Sequence, residues 1–326
     1  MFSELVDVKE NNIVNVDYEI LSILLKDRTT KKNIIWATNN YENHGPGYSF
    51  QDEITPEKIT SYYGRIIKPR IKKSKKEQEV RIRDKAEVFT PAWVCNEQIN
   101  LVDNNWFGYE NVFNFSENTK WKTNKKKIII PKNKKWTDYV SCLRMEIACG
   151  EAPYLVSRYD NVTGEMIDLK NRIGILDRKF RILNENSANE KEWYDYAVKA
   201  MQSVYGYDWQ GDNILLAREN LLYTFIDNFQ YYFKKNPTID LVKKIAVIIS
   251  WNIWQMDGTR FVVPNSCHEV EIRYKQISLF DEDSVEINEC KGCKKNNIFM
   301  HQGIYCKIMN WETNRTNKFV NLMKKR

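Results

Sequence analysis

The stretch Arg144-Met-Glu-Ile-Ala-Cys-Gly-Glu-Ala-Pro-Tyr-Leu155 decides the fold of this chain. A short apolar approach leads into small residues at 148–150, and Ala-Pro-Tyr-Leu follows. This order predicts a strand, a tight turn and a helix. A turn of small residues lets a ligand lie against backbone N–H groups and a helix N-terminus. Glycine is also common wherever a chain simply reverses, so the turn alone is a nonspecific signal.

Two further stretches make this turn more informative. Upstream lies Ala86-Glu-Val-Phe-Thr-Pro-Ala-Trp-Val94, and downstream Val204-Tyr-Gly-Tyr-Asp-Trp-Gln210 leads into a long amphipathic helix over 212–235. The downstream stretch is typical of a strand that ends in Asp208, and such a carboxylate can accept hydrogen bonds from both hydroxyls of a ribose. A simple dinucleotide fold places this acid about 20 residues after the glycine turn. Asp168 and Asp177 stand there and are alternatives to Asp208.

In this order the three stretches resemble the adenine-N6 DNA methyltransferases of restriction–modification systems, in particular the chains labelled restriction endonuclease subunit M. The likeness spans roughly residues 80–260. Phe-Thr-Pro is similar to the family's motif before the core. Residues 146–152 are similar to a variant of its Asp-Pro-Ala-Cys-Gly-Ser-Gly loop, and residues 205–208 to its second cofactor motif. The resemblance implies an α/β, Rossmann-like class I fold that uses S-adenosylmethionine and acts on DNA.

The resemblance also implies a cofactor site. Asp208 would bind the ribose, Trp209 would lie beside the adenine, and Glu146 with residues 148–151 would line the methionine end. The implied set is Phe89, Thr90, Pro91, Glu146, Ala148, Cys149, Gly150, Glu151, Asp208 and Trp209. Glu151 stands where the family has Ser, and its charge suits a cationic amine and sulfonium but opposes the phosphates of NAD or FAD. Cys149 is better explained as a small buried residue than as a nucleophile, because no histidine lies near it in sequence.

One family element is missing. Adenine-N6 enzymes carry Asn/Asp-Pro-Pro-Tyr/Phe, which binds and stacks the flipped base, and this chain has no Pro-Pro dipeptide. No catalytic residue is therefore assigned, and Asp257, at a further strand end, is the single candidate. The expected function is a modification subunit of a restriction–modification or phage-defence system that needs a partner chain for base activation. The alternatives are an inactive methyltransferase-like subunit that binds DNA or senses the cofactor, and a nuclease component.

The charge of the chain fits a polyanion partner, which the resemblance implies is double-stranded DNA. The 326 residues carry 50 Lys and Arg against 43 Asp and Glu, a formal charge of +7. Clustered basic side chains release counterions from phosphate backbones. The densest cluster precedes Phe-Thr-Pro, and its predicted DNA-binding residues are Lys68, Arg70, Lys72, Lys73, Lys75, Lys76, Arg81 and Arg83. A solvated face is the alternative.

The C-terminal region carries a Cys-x-x-Cys pair that indicates a small structural zinc site. The expected ligands are Cys290, Cys293 and Cys306, with His301 or Cys267 as the fourth. Free thiols around a hairpin are the alternative.

These patterns divide the chain into three regions: a helical, basic region over 1–80, a methyltransferase-like domain over 81–265, and a Cys-containing appendage over 266–326. No apolar run is long enough to cross a bilayer, and the N-terminus lacks a signal-peptide pattern. A cytoplasmic location with reduced cysteines is therefore expected.

Overall fold

The computed structural model describes residue 6 and residues 9–85, 87–88, 90–274 and 284–325. Its α-helices are α1 Glu10–Val16, α2 Tyr18–Leu25, α3 Pro56–Ile59, α4 Lys75–Lys85, α5 Ala92–Phe107, α6 Trp136–Ser141, α7 Ile175–Asn186, α8 Glu190–Gln202, α9 Gly211–Phe233, α10 Ile239–Asn252 and α11 Lys291–Lys294. Its strands are β1 Asn114–Glu117, β2 Lys120–Thr123, β3 Arg144–Ile147, β4 Val204–Asp208, β5 Ile253–Gln255, β6 Val270–Tyr274, β7 Ser284–Asn288, β8 Lys307–Asn310 and β9 Arg315–Lys318.

A three-stranded parallel sheet in the order β3-β4-β5 organises the fold. Helices α7 and α8 connect β3 to β4, and α9 and α10 connect β4 to β5. Parallel neighbours need such crossovers, which return the chain to the same end of the sheet. The remaining described strands form antiparallel pairs, β1-β2, β6-β7 and β8-β9. The expectation of an α/β fold with a parallel sheet is confirmed at this level.

Helix α9 is the central helix of the core. Nearly all of its residues are buried, and it ends where Lys234 adopts a left-handed conformation with φ 56°. Its first residue, Gly211, donates its N–H to the Trp36 carbonyl over 3.1 Å. A Cβ at Gly211 would lie 2.0 Å from the Ile35 carbonyl oxygen, so only glycine allows this approach. The helix expected over 212–235 is confirmed.

The chain after β3 differs from expectation. Residues 151–155 form turns instead of the start of a helix, and the next α-helix, α7, begins only at Ile175. Ala152 has a left-handed φ of 66°, which no α-helix accommodates. The N–H groups of Tyr154 and Leu155 instead donate to the Glu146 carboxylate, over 3.3 and 3.2 Å.

The N-terminal segment shares one hydrophobic core with the sheet and its helices. Leu21 and Trp36 belong to the same buried cluster as residues of α9 and α10. The wholly buried Arg218 donates to the carbonyl of Lys26 over 3.1 Å and to that of Ile253 over 2.8 Å. This guanidinium therefore ties the end of α2 to β5.

The C-terminal segment covers part of the opposite face of the sheet. Tyr205 of β4 and Trp254 of β5 pack there with Phe319 and Cys306 in a second buried cluster. Among the helices that the structure describes, none combines the length and apolar character that a membrane crossing requires.

Candidate functional site

The turn after β3 and the end of β4 meet at the carboxyl edge of the parallel sheet. The Gly150 N–H donates to Asp208 Oδ2 over 3.0 Å, and the Cys149 N–H donates to the Tyr207 carbonyl over 2.8 Å. A Cβ on Gly206 would lie 3.2 Å from the Cys149 sulfur, so glycine in β4 admits the thiol. The two places that the sequence predicts to form one pocket are therefore adjacent.

The turn has an unusual backbone. Ala148, Gly150 and Ala152 all have left-handed φ values, of 47°, 52° and 66°. An alanine in this region is strained by about 1 kcal/mol or more, and such strain concentrates at functional turns. Cys149 between them is buried, and burial holds the pKa of its thiol well above the usual value. It therefore packs the turn and is not an activated nucleophile.

Asp208 is the central acid of the site. Its side chain is almost entirely buried, and its Oδ1 accepts from the Gln210 N–H over 2.9 Å and from Asn213 Nδ2 over 3.4 Å. Burial raises the pKa of Asp208 to about 6, although these donors and the Gly150 N–H lower it. The hydrogen bonds that Asp208 accepts thus come from uncharged donors, and Asp208 forms none of the ion pairs found among the described residues.

Two acids of the 146–152 stretch have different surroundings. Glu146 is buried beneath the turn, and burial raises its pKa to about 8. Glu151 is also buried; it accepts from the Tyr159 hydroxyl over 2.7 Å and from the Arg70 N–H over 2.5 Å, and burial raises its pKa. Glu151 therefore joins the turn to the basic segment through the Arg70 N–H.

The stretch around Phe-Thr-Pro reaches the same place. Glu87 is buried, and its Oε2 accepts from Gln210 Nε2 over 2.9 Å, close to Asp208 along the chain. Its Oε1 has no hydrogen-bond partner among the described residues. The Thr90 carbonyl accepts from the Cys95 thiol over 3.8 Å, and Pro91 immediately precedes α5. Phe89 lies outside the described residues.

Trp209 and Asp257 flank the site at the ends of β4 and β5. The Trp209 indole N–H donates to the Ala37 carbonyl over 2.9 Å, and its ring remains partly exposed. The Asp257 carboxylate accepts from the N–H and hydroxyl of Thr259, over 2.9 and 2.6 Å, and from the Arg260 N–H over 3.1 Å. Asp257 therefore holds its own turn, which leaves it poorly placed to contact a base.

The alternative ribose-binding acids lie elsewhere. Asp177 is buried and accepts from the N–H groups of Ser157 and Gly174, at the start of α7. Asp168 is exposed on the connection before α7. Of these three acids, Asp208 alone stands at the end of a sheet strand beside the turn.

The predicted DNA-binding residues divide by burial. Lys72, Lys75, Lys76 and Arg83 are exposed, and Lys68 and Arg70 are half-buried. Lys73 and Arg81 are corrections, since both are buried and neither can reach a DNA backbone. Arg81 pairs with Asp212 over 2.5 Å and with Glu87 over 2.9 Å, and Lys73 lies 3.4 Å from Asp212.

Sequence reasoning missed the acids of this ion-pair group. Asp212 lies in the first turn of α9, where acids are common, and Glu87 lies within the Phe-Thr-Pro stretch without belonging to the motif. Asp212 lies 131 residues from Arg81 and 139 from Lys73, and Glu87 lies 6 residues from Arg81, so residue spacing did not indicate these ion pairs. Tyr41 completes the group, because its hydroxyl donates to Asp212 over 2.6 Å.

The predicted metal ligands are partly brought together. Cys290, Cys293 and His301 converge with Cys267, and this group of three cysteines and one histidine can hold a zinc ion. Cys306 is a correction, since it is wholly buried beside Phe319 and its thiol contacts the Gln255 carbonyl over 3.4 Å. The sequence offered Cys267 only as an alternative.

Comparison of the chain with protein-family models, with curated proteins and with solved structures found no match.

Proposed function

We propose that this chain is the modification subunit of a restriction–modification or phage-defence system, a DNA adenine-N6 methyltransferase that uses S-adenosylmethionine and needs a partner for base activation. One observation carries the proposal. The three stretches that resemble the family converge. The Gly150 nitrogen lies 3.0 Å from Asp208 Oδ2, and Gln210 Nε2 lies 2.9 Å from Glu87 Oε2. The stretches converge at the carboxyl edge of a parallel sheet, which is where open α/β sheets bind ligands.

The charge of the site favours a cationic ligand. Glu87, Glu146, Glu151 and Asp208 are all buried around the turn, and burial raises the pKa of the last three. A sulfonium and an ammonium group would offset the cost of burying such carboxylates. A phosphate-bearing cofactor would add to it, which disfavours NAD and FAD.

Two buried acceptors fit the donors of the same ligand. Glu87 Oε1 and Asn213 Oδ1 lack hydrogen-bond partners among the described residues. Buried acceptors without a donor are costly, so a ligand that supplies hydroxyl or ammonium donors is favoured. S-adenosylmethionine supplies both kinds of donor.

Each residue then has a distinct part. Asp208 accepts the ribose hydroxyls, which requires its carboxylate to turn from Gly150 or share that N–H. The partly exposed Trp209 ring offers a face for adenine. The Glu146 carboxylate accepts the N–H groups of Tyr154 and Leu155, which holds the backbone at 148–150 in one position. The bound cofactor supplies the methyl group.

Base activation is assigned to a partner. The chain lacks a Pro-Pro dipeptide, and the Asp257 carboxylate is occupied by its own turn. On this proposal DNA contacts the exposed basic residues Lys72, Lys75, Lys76 and Arg83. A partner carrying Asn-Pro-Pro-Tyr would receive the flipped adenine at the same crevice.

A second candidate is a subunit that senses S-adenosylmethionine or binds DNA without chemistry. The occupied Asp257 carboxylate and the missing Pro-Pro dipeptide favour it. Both candidates require the cofactor crevice or the basic face, so methyl transfer separates them.

Calorimetric titration of S-adenosylmethionine into the purified chain tests the proposal. We expect Asp208→Asn to weaken binding by about tenfold or more, because one acceptor becomes a donor at the ribose position. Asp168→Asn is the matched control, since this exposed acid should leave affinity unchanged. Circular dichroism at the titration temperature verifies that each variant is folded.

Radiolabelled methyl transfer to DNA, with and without candidate partner chains, completes the test. Transfer only with a partner supports the split enzyme, and binding without transfer under any combination supports the sensing subunit. Absence of S-adenosylmethionine binding by the folded wild-type chain refutes the cofactor site in both forms.

A further inference from the structure

Four potential metal ligands come together from three separate segments of the C-terminal region. Cys267 precedes β6, Cys290 is the N-cap of α11, Cys293 lies within α11, and His301 follows it. Their ligand atoms, three sulfurs and one ring nitrogen, all lie within 4.8 Å of one another. None of the four ligands belongs to the strand-end site around Asp208, so a metal site here is independent of the proposed function.

The separations match one tetrahedral ion. Zinc binds sulfur at about 2.3 Å and histidine nitrogen at about 2.0–2.1 Å, so tetrahedral ligands are about 3.8 Å apart between sulfurs and about 3.6 Å between sulfur and nitrogen. Cys267 Sγ lies 3.3 Å from Cys290 Sγ and 3.7 Å from Cys293 Sγ. His301 Nδ1 lies 3.6 Å from each of the three sulfurs.

The local backbone is shaped to allow this convergence. A Cβ on Gly292 would lie 2.7 Å from His301 Nδ1 and 2.5 Å from its backbone nitrogen. A Cβ on Gly303 would lie 2.8 Å from the Cys267 Cβ. Both glycines therefore allow the ligand-bearing segments to approach. The Gln302 N–H also points to Cys290 Sγ over 3.5 Å, a contact that stabilises a thiolate.

A disulfide, an iron–sulfur cluster and free thiols each fit the cluster less well than one metal ion. A disulfide bond has a sulfur–sulfur distance of about 2.05 Å and would leave the third cysteine and His301 without a role. An iron–sulfur cluster needs its ligands spread around several metal and sulfide atoms, and these four atoms are too close together for that. Free thiols have no reason to surround one imidazole nitrogen at nearly equal distances.

The geometry points to a structural Zn²⁺ site formed by Cys267, Cys290, Cys293 and His301. Four protein ligands complete the coordination sphere and leave no open position, which is the arrangement of structural rather than catalytic zinc. Cys267 lies just before β6 and Cys290 just after β7, at the end of the antiparallel pair where Val270 faces Asn288. Zinc therefore closes the base of this hairpin and joins it to the segment around His301.

The joined segment also contacts the rest of the fold. The Val263 N–H donates to the Ile304 carbonyl over 2.8 Å, and the Cys306 N–H donates to the Phe261 carbonyl over 3.0 Å. Metal binding at 267–301 should therefore order the C-terminal segment that packs on Tyr205 and Trp254. Isolated two-stranded hairpins are marginal in water, which gives the metal a physical role here.

Metal content and cobalt spectra of the full chain test the site. We expect about one zinc per wild-type chain by elemental mass spectrometry, and Cys293→Ser should retain less than about a fifth of it. Replacement by Co²⁺ should give the intense visible bands of a tetrahedral ion with thiolate charge-transfer absorption. Cys142→Ser and Cys306→Ala, at cysteines outside the cluster, are controls that should keep full zinc.

A second variant protects the test from misfolding. His301→Cys retains four zinc ligands and should keep full metal content while its thiolate-to-cobalt absorption increases. The assignment is overturned if the folded wild type contains no zinc and takes up no cobalt, if Cys306→Ala loses metal as Cys293→Ser does, or if intact mass shows a Cys267–Cys290 disulfide in the purified chain. A brown chain with iron and sulfide would overturn it in favour of a cluster.

Discussion

The buried ion pair between Arg81 and Asp212 gives a sharp test of how the basic segment is used. Arg81 is 3% exposed, and its Nη2 lies 2.5 Å from Asp212 Oδ2. Arg83, two residues along the same helix, has a side chain that is 74% exposed and pairs only with its neighbour Asp84 among the ion pairs of the described chain. The two arginines are therefore matched in sequence and opposite in environment.

We expect Arg81→Met to destabilise the fold by about 3–5 kcal/mol, because it leaves the Asp212 carboxylate buried and short of its main partner. Lys73 Nζ, 3.4 Å from Asp212 Oδ2, still faces this carboxylate in the variant. The loss of unfolding free energy should therefore lie near the lower end of that range. Arg83→Met should change the unfolding free energy by less than about 0.5 kcal/mol. Urea denaturation followed by tryptophan fluorescence measures both.

The pH dependence of this effect has a definite sign. Burial raises the pKa of Asp212, but Arg81 and Lys73 outweigh it and hold the pKa below its ordinary 3.8. The wild type therefore has the full stabilisation above about pH 4 and loses it as the pH falls through the lowered pKa. In Arg81→Met the pKa of Asp212 rises, and protonation relieves the unpaired charge. The free-energy difference between the two proteins should shrink as the pH is lowered from about 7 to about 4.5.

The double variant Arg81→Met with Asp212→Asn removes both charges of the pair. It should be more stable than Arg81→Met alone, because no uncompensated carboxylate remains in the interior. The buried-pair account is refuted if Arg81→Met costs less than about 1 kcal/mol, or if its cost equals that of Arg83→Met. In that case Arg81 would be free to act at the surface, as the sequence suggested.

The exposed basic face, the strained turn and two buried titratable groups each give a further test. Replacing Lys75, Lys76 and Arg83 by Ala should weaken duplex binding and reduce the slope of log K against log salt by about 3 in a fluorescence anisotropy assay, at unchanged melting temperature; an unchanged slope would remove this face from the DNA site. Ala148→Gly should stabilise the chain by about 0.5–1 kcal/mol in urea, because an exposed alanine with φ 47° becomes a glycine, and a loss of stability would contradict the strain. Since the pKa of Asp208 is about 6, S-adenosylmethionine affinity should fall below that pH in the wild type, with a flatter profile in Asp208→Asn; identical profiles would argue against Asp208 as the ribose acceptor. Burial lowers the pKa of Lys179 from 10.5 to about 7, so folded chains release its proton before unfolded chains do, and stability should rise from about pH 7 toward about pH 10 in the wild type but less in Lys179→Met.

Much of the architecture was accessible from local patterns. The helix expected over 212–235 is observed as α9, Gly211–Phe233, and the strand expected to end in Asp208 is observed as β4, Val204–Asp208. Asp208 was preferred over Asp168 and Asp177 because its strand-like approach and the helix that follows it resemble the family. These features depend on hydrophobic period and on strand and helix length, which each segment carries by itself.

Other features were decided by contacts distant in sequence. The helix expected after Gly150 does not form, since Ala152 is left-handed and Glu146 takes the N–H groups that would start it. Arg81 was indistinguishable from its neighbours until Asp212, 131 positions away, was seen beside it. Cys306 was expected among the metal ligands and Cys267 only as an alternative to His301, whereas the structure brings Cys267 and His301 together with Cys290 and Cys293.

The sequence by itself determined that strands and helices alternate, and that an acid and a turn of small residues occur at strand ends. Only the tertiary structure decided which charges are buried, which cysteines converge and where the strand-end turn meets Asp208. The physical reason is the separation along the chain over which each interaction acts. Backbone propensity and hydrophobic period act over a few residues, whereas desolvation, ion pairing and metal coordination depend on neighbours that the fold brings together from separate parts of the chain.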